Sequence, residues 1–362
     1  MKLKTTAFLI LLCSIMAKAQ TTITTYVPGV STEGVAYYLP KTAINVSITT
    51  EKSVYVPGEL YQYADRYLRI NNVSNKEDVS YTIKSVSLST VGFPDESKLY
   101  HILFAPNSIA PMVTMTESGI LHAINTSSSA SLPVQSGVLP EASGNKVLSS
   151  RSYMTEEMLI AGSKAKLAEL VAKEIYNIRE SRNLIVRGQN EYMPKDAESL
   201  QIILAGLQEQ EEAFTQMFIG STTTETSTYT YQIMPEGSVE RIVLGRFSRK
   251  LGLLHGDDLA GAPIYVDVKC KLSVPEPTAE AMAESAKSKK GKNENLQDGL
   301  VYNIPGKAEV KVYTNTQVLA EEMLALGQLG RTETLSSTLL TKKKTIKIVL
   351  DPVTGALLKV SE

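Results

Sequence analysis

The sequence predicts an α+β fold in which two β-rich domains flank a long antiparallel helical hairpin. Three observations predict it. Apolar and polar residues alternate with a period of two on both sides of the middle of the chain, as at Ile44, Val46 and Ile48. Between residues 155 and 220 the apolar period lengthens to that of a helix. Two distant segments also repeat the same order of features, as expected of a distant internal duplication. The expected division is a signal peptide over 1–19, an N-terminal β-rich domain over 20–124, and a loop or linker over 125–154. The helical hairpin follows over 155–220, strands continuing the central domain over 221–274, a flexible linker over 275–298 and a C-terminal β domain over 299–362.

The N-terminus carries the strongest local signal. Lys2 and Lys4 precede an apolar run from Ala7 to Met16, and Ala17, Lys18 and Ala19 make a small-x-small cleavage site. The pattern reads as a Sec signal peptide and is too short for a membrane span. Cys13 follows Leu12, whereas a lipoprotein needs a small residue before its cysteine, so lipidation there is not expected. No later stretch reaches the roughly 18–20 uninterrupted apolar residues of a spanning helix. The mature chain is therefore expected in the periplasm or at the outer membrane, without direct membrane insertion after cleavage.

Alternation opens the mature chain. Residues 22–55 read as strands and the run breaks at Pro57-Gly58, and Glu59–Leu68 then carries Leu60, Tyr63/Ala64 and Tyr67/Leu68 at helical spacing. Strand patterns return at 80–91 and 100–104, and a hairpin turns at Ser118-Gly119. Leu167, Val171, Ile175, Ile178 and Ile185 form the stripe of the first long helix, with Gly188 as its C-cap. The second has Pro194 at its start, Asp196 and Glu198 in its first turn, a stripe from Leu200 to Phe218, and Gly220 at its end. Residues 221–234 are Thr- and Tyr-rich and favour a strand with at least one wet face. Residues 317–329 are ambiguous, with a composition that favours helix.

The internal echo pairs 34–40 (GVAYYLP) with 299–305 (GLVYNIP), with Ala43 and Ala308 three residues past each proline. It also pairs the exits 118–124 (SGILHAI) and 354–360 (TGALLKV). Either the halves are distant duplicates, or strand–proline patterns have coincided by chance.

Composition excludes several functions. The formal net charge is −1, so a nucleic-acid partner, which would need a basic excess, is not expected. Of two cysteines, Cys13 lies in the signal and Cys270 in a strand pattern, leaving no intramolecular disulfide. The three histidines stand apart, with no zinc-type spacing, so neither metal nor cofactor is expected. No GxSxG, SxxK or phosphate-binding loop occurs, and no catalytic residue is expected.

Weak binding candidates remain, each beside a plainer alternative. Tyr61, Tyr63 and Tyr67 could stack on sugar, but Tyr63 and Tyr67 have core spacing. Arg179 and Arg182 could anchor a phosphate or carboxylate, or satisfy a helix end and neighbouring acids. His255 with Asp257 could form an acid–base pair, or an ordinary turn. Lys342–Lys344 reads as a solvated strand approach.

Several motifs together resemble an uncharacterised family of exported proteins of about this length found in Bacteroidota. They are 38–42 (YLPKT), 54–58 (VYVPG), 63–68 (YADRYL), 178–182 (IRESR), 193–196 (MPKD), 222–226 (TTTET), 250–253 (KLGL) and 302–308 (YNIPGKA). The resemblance spans most of the mature chain and implies export, but no activity. The expectation is a non-enzymatic envelope scaffold or protein-binding module whose partner is another envelope protein. The alternative is a glycan-binding module or glycan-active enzyme.

Overall fold

The computed structural model describes residues 22–25, 34–103, 112–126, 149–189, 196–271, 299–336 and 346–361. The signal peptide at 1–19, most of the 125–154 linker, Pro194, the 275–298 linker and Lys342–Lys344 lie outside the described residues.

The described elements are mostly strands. They run β1 (Thr22–Thr25), β2 (Val35–Val56), α1 (Ala64–Leu68), β3 (Asp78–Leu103), β4 (Val113–Met115), β5 (Leu121–Ile124), α2 (Glu156–Leu159), α3 (Lys164–Val186) and α4 (Ala197–Ile219). There follow β6 (Ser221–Ile233), β7 (Val239–Ser248), β8 (Gly252–Leu254), β9 (Ala262–Lys271), β10 (Gly299–Tyr313), β11 (Val318–Ser336), β12 (Lys347–Leu350) and β13 (Leu357–Ser361). Three sheets result, ordered β1-β3-β2-β6, β11-β10-β9-β7-β8 and β13-β12-β5-β4. All strand pairings within them are antiparallel.

The expected α+β arrangement, two β-rich domains with a long helical hairpin between them, is overturned. The described residues are mostly β, in three antiparallel sheets, and among them no long hairpin divides the chain into two β domains. Strands from the two ends of the chain share sheets and cores. In the third sheet, β12 pairs with β5 through Ile348↔Ile124 and Val349↔Ala123. In the main core, Ile44, Val46 and Ile48 of β2 pack with Ile264, Val266 and Val268 of β9 and Val310 and Val312 of β10. The physical reason is burial. Each β-hairpin has one apolar face and cannot cover it alone, so the two ends cover each other.

Alternation does fix which way the strands face. The partners of Ile44, Val46 and Ile48 lie across the core, while Ser47 and Thr49 point to the other face, where Ser47 pairs with Thr230 (3.1 Å) and Thr49 with Thr228 (3.0 Å) on β6. Residues 317–329 are a correction. They fall mainly in β11, paired along β10, so pairing overrides a composition that favours helix.

The echo recurs as local geometry inside this shared fold. The Tyr38 amide donates to Gly119 O and the Asn303 amide to Gly355 O, both at 2.9 Å. Parallel bridges join Tyr38 to Ile120 and Asn303 to Ala356. In each long hairpin the register jumps, so that residues 95–98 oppose Leu39 and residues 327–330 oppose Pro305.

The first of these bulges buries a charge. Asp95 is 2% exposed, accepts from the Ser97 amide (3.1 Å) and hydroxyl (2.6 Å), and lies 3.3 Å from Lys41 Nζ. Burial pushes its pKa up, but the Ser97 bonds and Lys41 outweigh burial and hold the carboxyl below its ordinary value. A depressed folded-state pKa stabilises the fold above the unfolded-state pKa, and that stability is lost as pH falls through the folded value. Asp95→Asn is therefore expected to lower the urea midpoint near neutral pH. It should also flatten the loss of stability on acidification below about pH 4. Urea titrations at several pH values check this; parallel curves for both proteins would contradict it.

Candidate functional site

The helical layer is anchored at one end and open at the other. Ser163 caps α3 by accepting from the Lys166 amide, and Asp196 caps α4 by accepting from the Ser199 amide at 2.7 Å. The Ser199 amide also holds the Asp196 carboxyl below its ordinary pKa. Ala168, Val171, Ala172, Ile175 and Ile178 of α3 bury against Phe214, Met217 and Phe218 of α4 and Ala64 and Leu68 of α1. The Leu60 amide donates to Met217 O at 2.7 Å, which ties this cluster to the end of β2.

Arg179 and Arg182 are spent on this layer. Arg179 Nε donates to Glu211 Oε1 at 2.6 Å. Arg182 Nη1 lies 2.8 Å from Glu211 Oε2, a close ion pair at an angle outside hydrogen-bond geometry. Arg179 also lies over the Tyr176 ring. Beyond this ion pair the two helices lose their cover. Of the apolar residues there, Ile185 is buried and Leu200 and Leu204 half-buried, while Leu184 is 38%, Val186 71%, Ile202 66% and Ile203 43% exposed. Exposed apolar side chains at neighbouring helix ends are candidates for an interaction surface.

The tyrosine candidates do not form one platform. Tyr63 and Tyr67 pack against the helical core, with ring centres 6.4 Å apart, and Arg66 lies over Tyr67. The Tyr176 hydroxyl donates to Tyr67 O at 2.8 Å. Tyr61 turns elsewhere and accepts from Gln62 Nε2. His255 Nδ1 lies 3.2 Å from Asp257 Oδ2, but the two side chains are 85% and 95% exposed, so water screens the pair. A cleft of about 410 Å³ lies between Pro57–Glu59, Ser149–Arg151 and Met217. A second, of about 720 Å³, lies beside Tyr55, Asn71–Ser74 and Ile219. Among the described residues, no three of His, Cys, Asp and Glu are grouped to hold a metal.

One cluster escaped sequence reasoning. On the outer face of the five-stranded sheet, Tyr265 and Tyr313 are cross-strand partners with ring centres 5.5 Å apart and planes at 34°. Arg241 lies over the Tyr265 ring at 5.0 Å. Asp267 Oδ1 accepts from the Arg241 amide (2.8 Å) and the Tyr313 hydroxyl (3.1 Å). Partial burial and then the Asp267 bond push the Tyr313 hydroxyl pKa up, so it remains a donor. Arg241 has φ 57°, left-handed for a non-glycine residue, at a register shift between β7 and β9. Alternation around Ile264, Val266 and Val268 does place Tyr265 and Asp267 outward. The bulge and the cross-strand partners carry no local signal.

A family model matches residues 33–358, and its description is Domain of unknown function (DUF4831). No curated protein and no solved structure matches the chain.

Proposed function

Since the chain belongs to the DUF4831 family, whose description names no activity, we propose a function from the surface itself. The protein is an exported, non-enzymatic envelope scaffold that binds another protein through the open ends of α3 and α4. One observation carries this reading: Leu184, Val186, Ile202 and Ile203 are each exposed at the ends of α3 and α4 beyond the Arg182–Glu211 ion pair. Burying such side chains against a partner would contribute about 1.5–3 kcal/mol for each one fully covered. The charged n-region, apolar run and cleavage site at 1–19 support export, and the resemblance described above supports an origin in Bacteroidota. No helix among the described residues is long and apolar enough to cross a membrane.

Photo-crosslinking residues placed at 186 and 202 of the full chain in the native envelope are expected to capture one discrete protein. Val186→Glu and Ile202→Glu together should weaken that capture at least about tenfold, because a carboxylate cannot be buried there unpaired. Absence of a discrete adduct, or capture that survives both substitutions, would count against the reading.

A further inference from the structure

We propose that the outer face of the five-stranded sheet is a binding site for a sugar ring. Tyr313 is its stacking side chain, with Tyr265 packed beside it under Arg241, and Arg241 and Asp267 are its hydrogen-bonding partners.

The platform is wider than the tyrosine pair. Val243 pairs with Tyr265, Tyr265 with Tyr313, and Tyr313 with Val318, so one row crosses β7, β9, β10 and β11. Val243 is 39% and Val318 50% exposed, which leaves both ends of the row open. Three inter-strand spacings make the row about 14 Å long. Charged groups lie beside it in balanced pairs. Arg241 is offset by Asp267, and Lys311 by Glu321 at 3.3 Å. The row therefore presents an apolar aromatic strip, edged by donors and acceptors whose nearest charges are paired.

A pyranose has matching chemistry. One face of the ring is a sheet of C–H bonds, which packs on an aromatic side chain, and its rim is hydroxyls that both donate and accept. Asp267 Oδ1 already takes two donors, while Oδ2 has no partner among the described residues and can accept a sugar hydroxyl. The Arg241 guanidinium can donate to a neighbouring hydroxyl. The left-handed backbone at Arg241 carries this group over the Tyr265 ring, although the conformation is unfavourable for arginine.

That strain separates function from structure in the test. The full chain is run in native gels containing soluble β-glucan, xylan, galactomannan or pullulan. At least one polysaccharide is expected to retard it. Tyr313→Ala should weaken retardation about tenfold or more, while Tyr313→Phe, which keeps the stacking face, retains most of it. Arg241→Gly relieves the left-handed strain and is expected to raise the thermal midpoint while weakening retardation about tenfold. Tyr229→Ala, which removes an exposed tyrosine of β6 outside the site, should leave retardation as in the parent. The proposal is overturned if none of the four polysaccharides retards the chain. It is equally overturned if Tyr313→Ala, or an Arg241→Gly protein of raised midpoint, is retarded as the parent is.

Discussion

Asn303→Ala is expected to lower the unfolding free energy by about 3 kcal/mol, and Asn303→Asp by more. Asn303 is 1% exposed at the junction of the three sheets. Its Nδ2 donates to Pro40 O at 3.1 Å and to Thr354 O at 2.9 Å. Two carbonyls around one nitrogen fix the orientation of the amide, since the oxygen in that place would face two acceptors. Beside it, Thr42 Oγ1 donates to Val353 O at 2.9 Å and accepts from the Gly327 amide at 3.0 Å. Gln328 Nε2 donates to Thr42 O (2.8 Å) and Pro235 O (3.0 Å). Strand β2, the β10–β11 hairpin, the β12–β13 turn and the end of β6 thus meet in one buried polar knot. Removing the amide withdraws a donor from two carbonyls at about 1–3 kcal/mol each, partly relieved by relaxation. Aspartate substitutes an acceptor that faces both of them. Urea denaturation measures the difference, and an alanine variant within about 1 kcal/mol of the parent would show that the knot is not a stability determinant.

Gly220→Ala is expected to cost about 4 kcal/mol, the second large effect. Gly220 joins α4 to β6 with φ 82° and ψ −177°, a region open essentially to glycine alone. A Cβ there would lie 2.4 Å from Val56 O and within 3 Å of the Tyr55 ring. Neither can yield easily. Val56 pairs with Ser221, and the Tyr55 hydroxyl donates to Ile219 O at 2.9 Å. The joint sets how the helical layer meets the first sheet, so strain there loosens both. Gly206, inside α4 with no atom within 4 Å of an added Cβ, is the opposite case. Gly206→Ala should stabilise by up to about 1 kcal/mol through helix propensity. The same substitution with opposite signs at 206 and 220, read from thermal or urea midpoints, checks the argument.

Side-chain direction was more legible in the sequence than assembly. Period-two alternation identified Ile44, Val46 and Ile48 as core, and the helical stripe from Val171 to Ile178 is buried as its spacing implies. Core spacing also described Tyr63 and Tyr67 correctly, because a helix face is a local property. Which strand lies beside which is not local. Nothing near Ile348 announces Ile124 as its partner, and reading the two halves as separate domains followed from that silence. Residues 317–329 show the same limit, since a Leu-, Ala- and Glu-rich segment becomes a strand once β10 offers it a ladder. Among the candidate sites, the sequence named charged groups but not their partners. Arg179 and Arg182 are neutralised by a residue on the next helix. The Tyr265–Tyr313 platform draws on strands more than 40 residues apart, and a bulge re-aims the arginine beside it.

The interleaving of the two ends bears on how the molecule is made. A ribosome releases β2 and β5 long before β10 and β12 exist. Until residues 299–350 emerge, Ile44, Val46, Ile48 and Ile124 lack several of the side chains that cover them in the finished fold. The β2–β3 hairpin can zip early, since its pairing is a direct return of the chain. Its apolar face must then wait, wet or guarded by some other protein, for the last part of the polypeptide. A chain interrupted after β9 would therefore be a sticky remnant, not a smaller working module. The order of synthesis makes the C-terminal hairpins the step that commits this protein to its final shape.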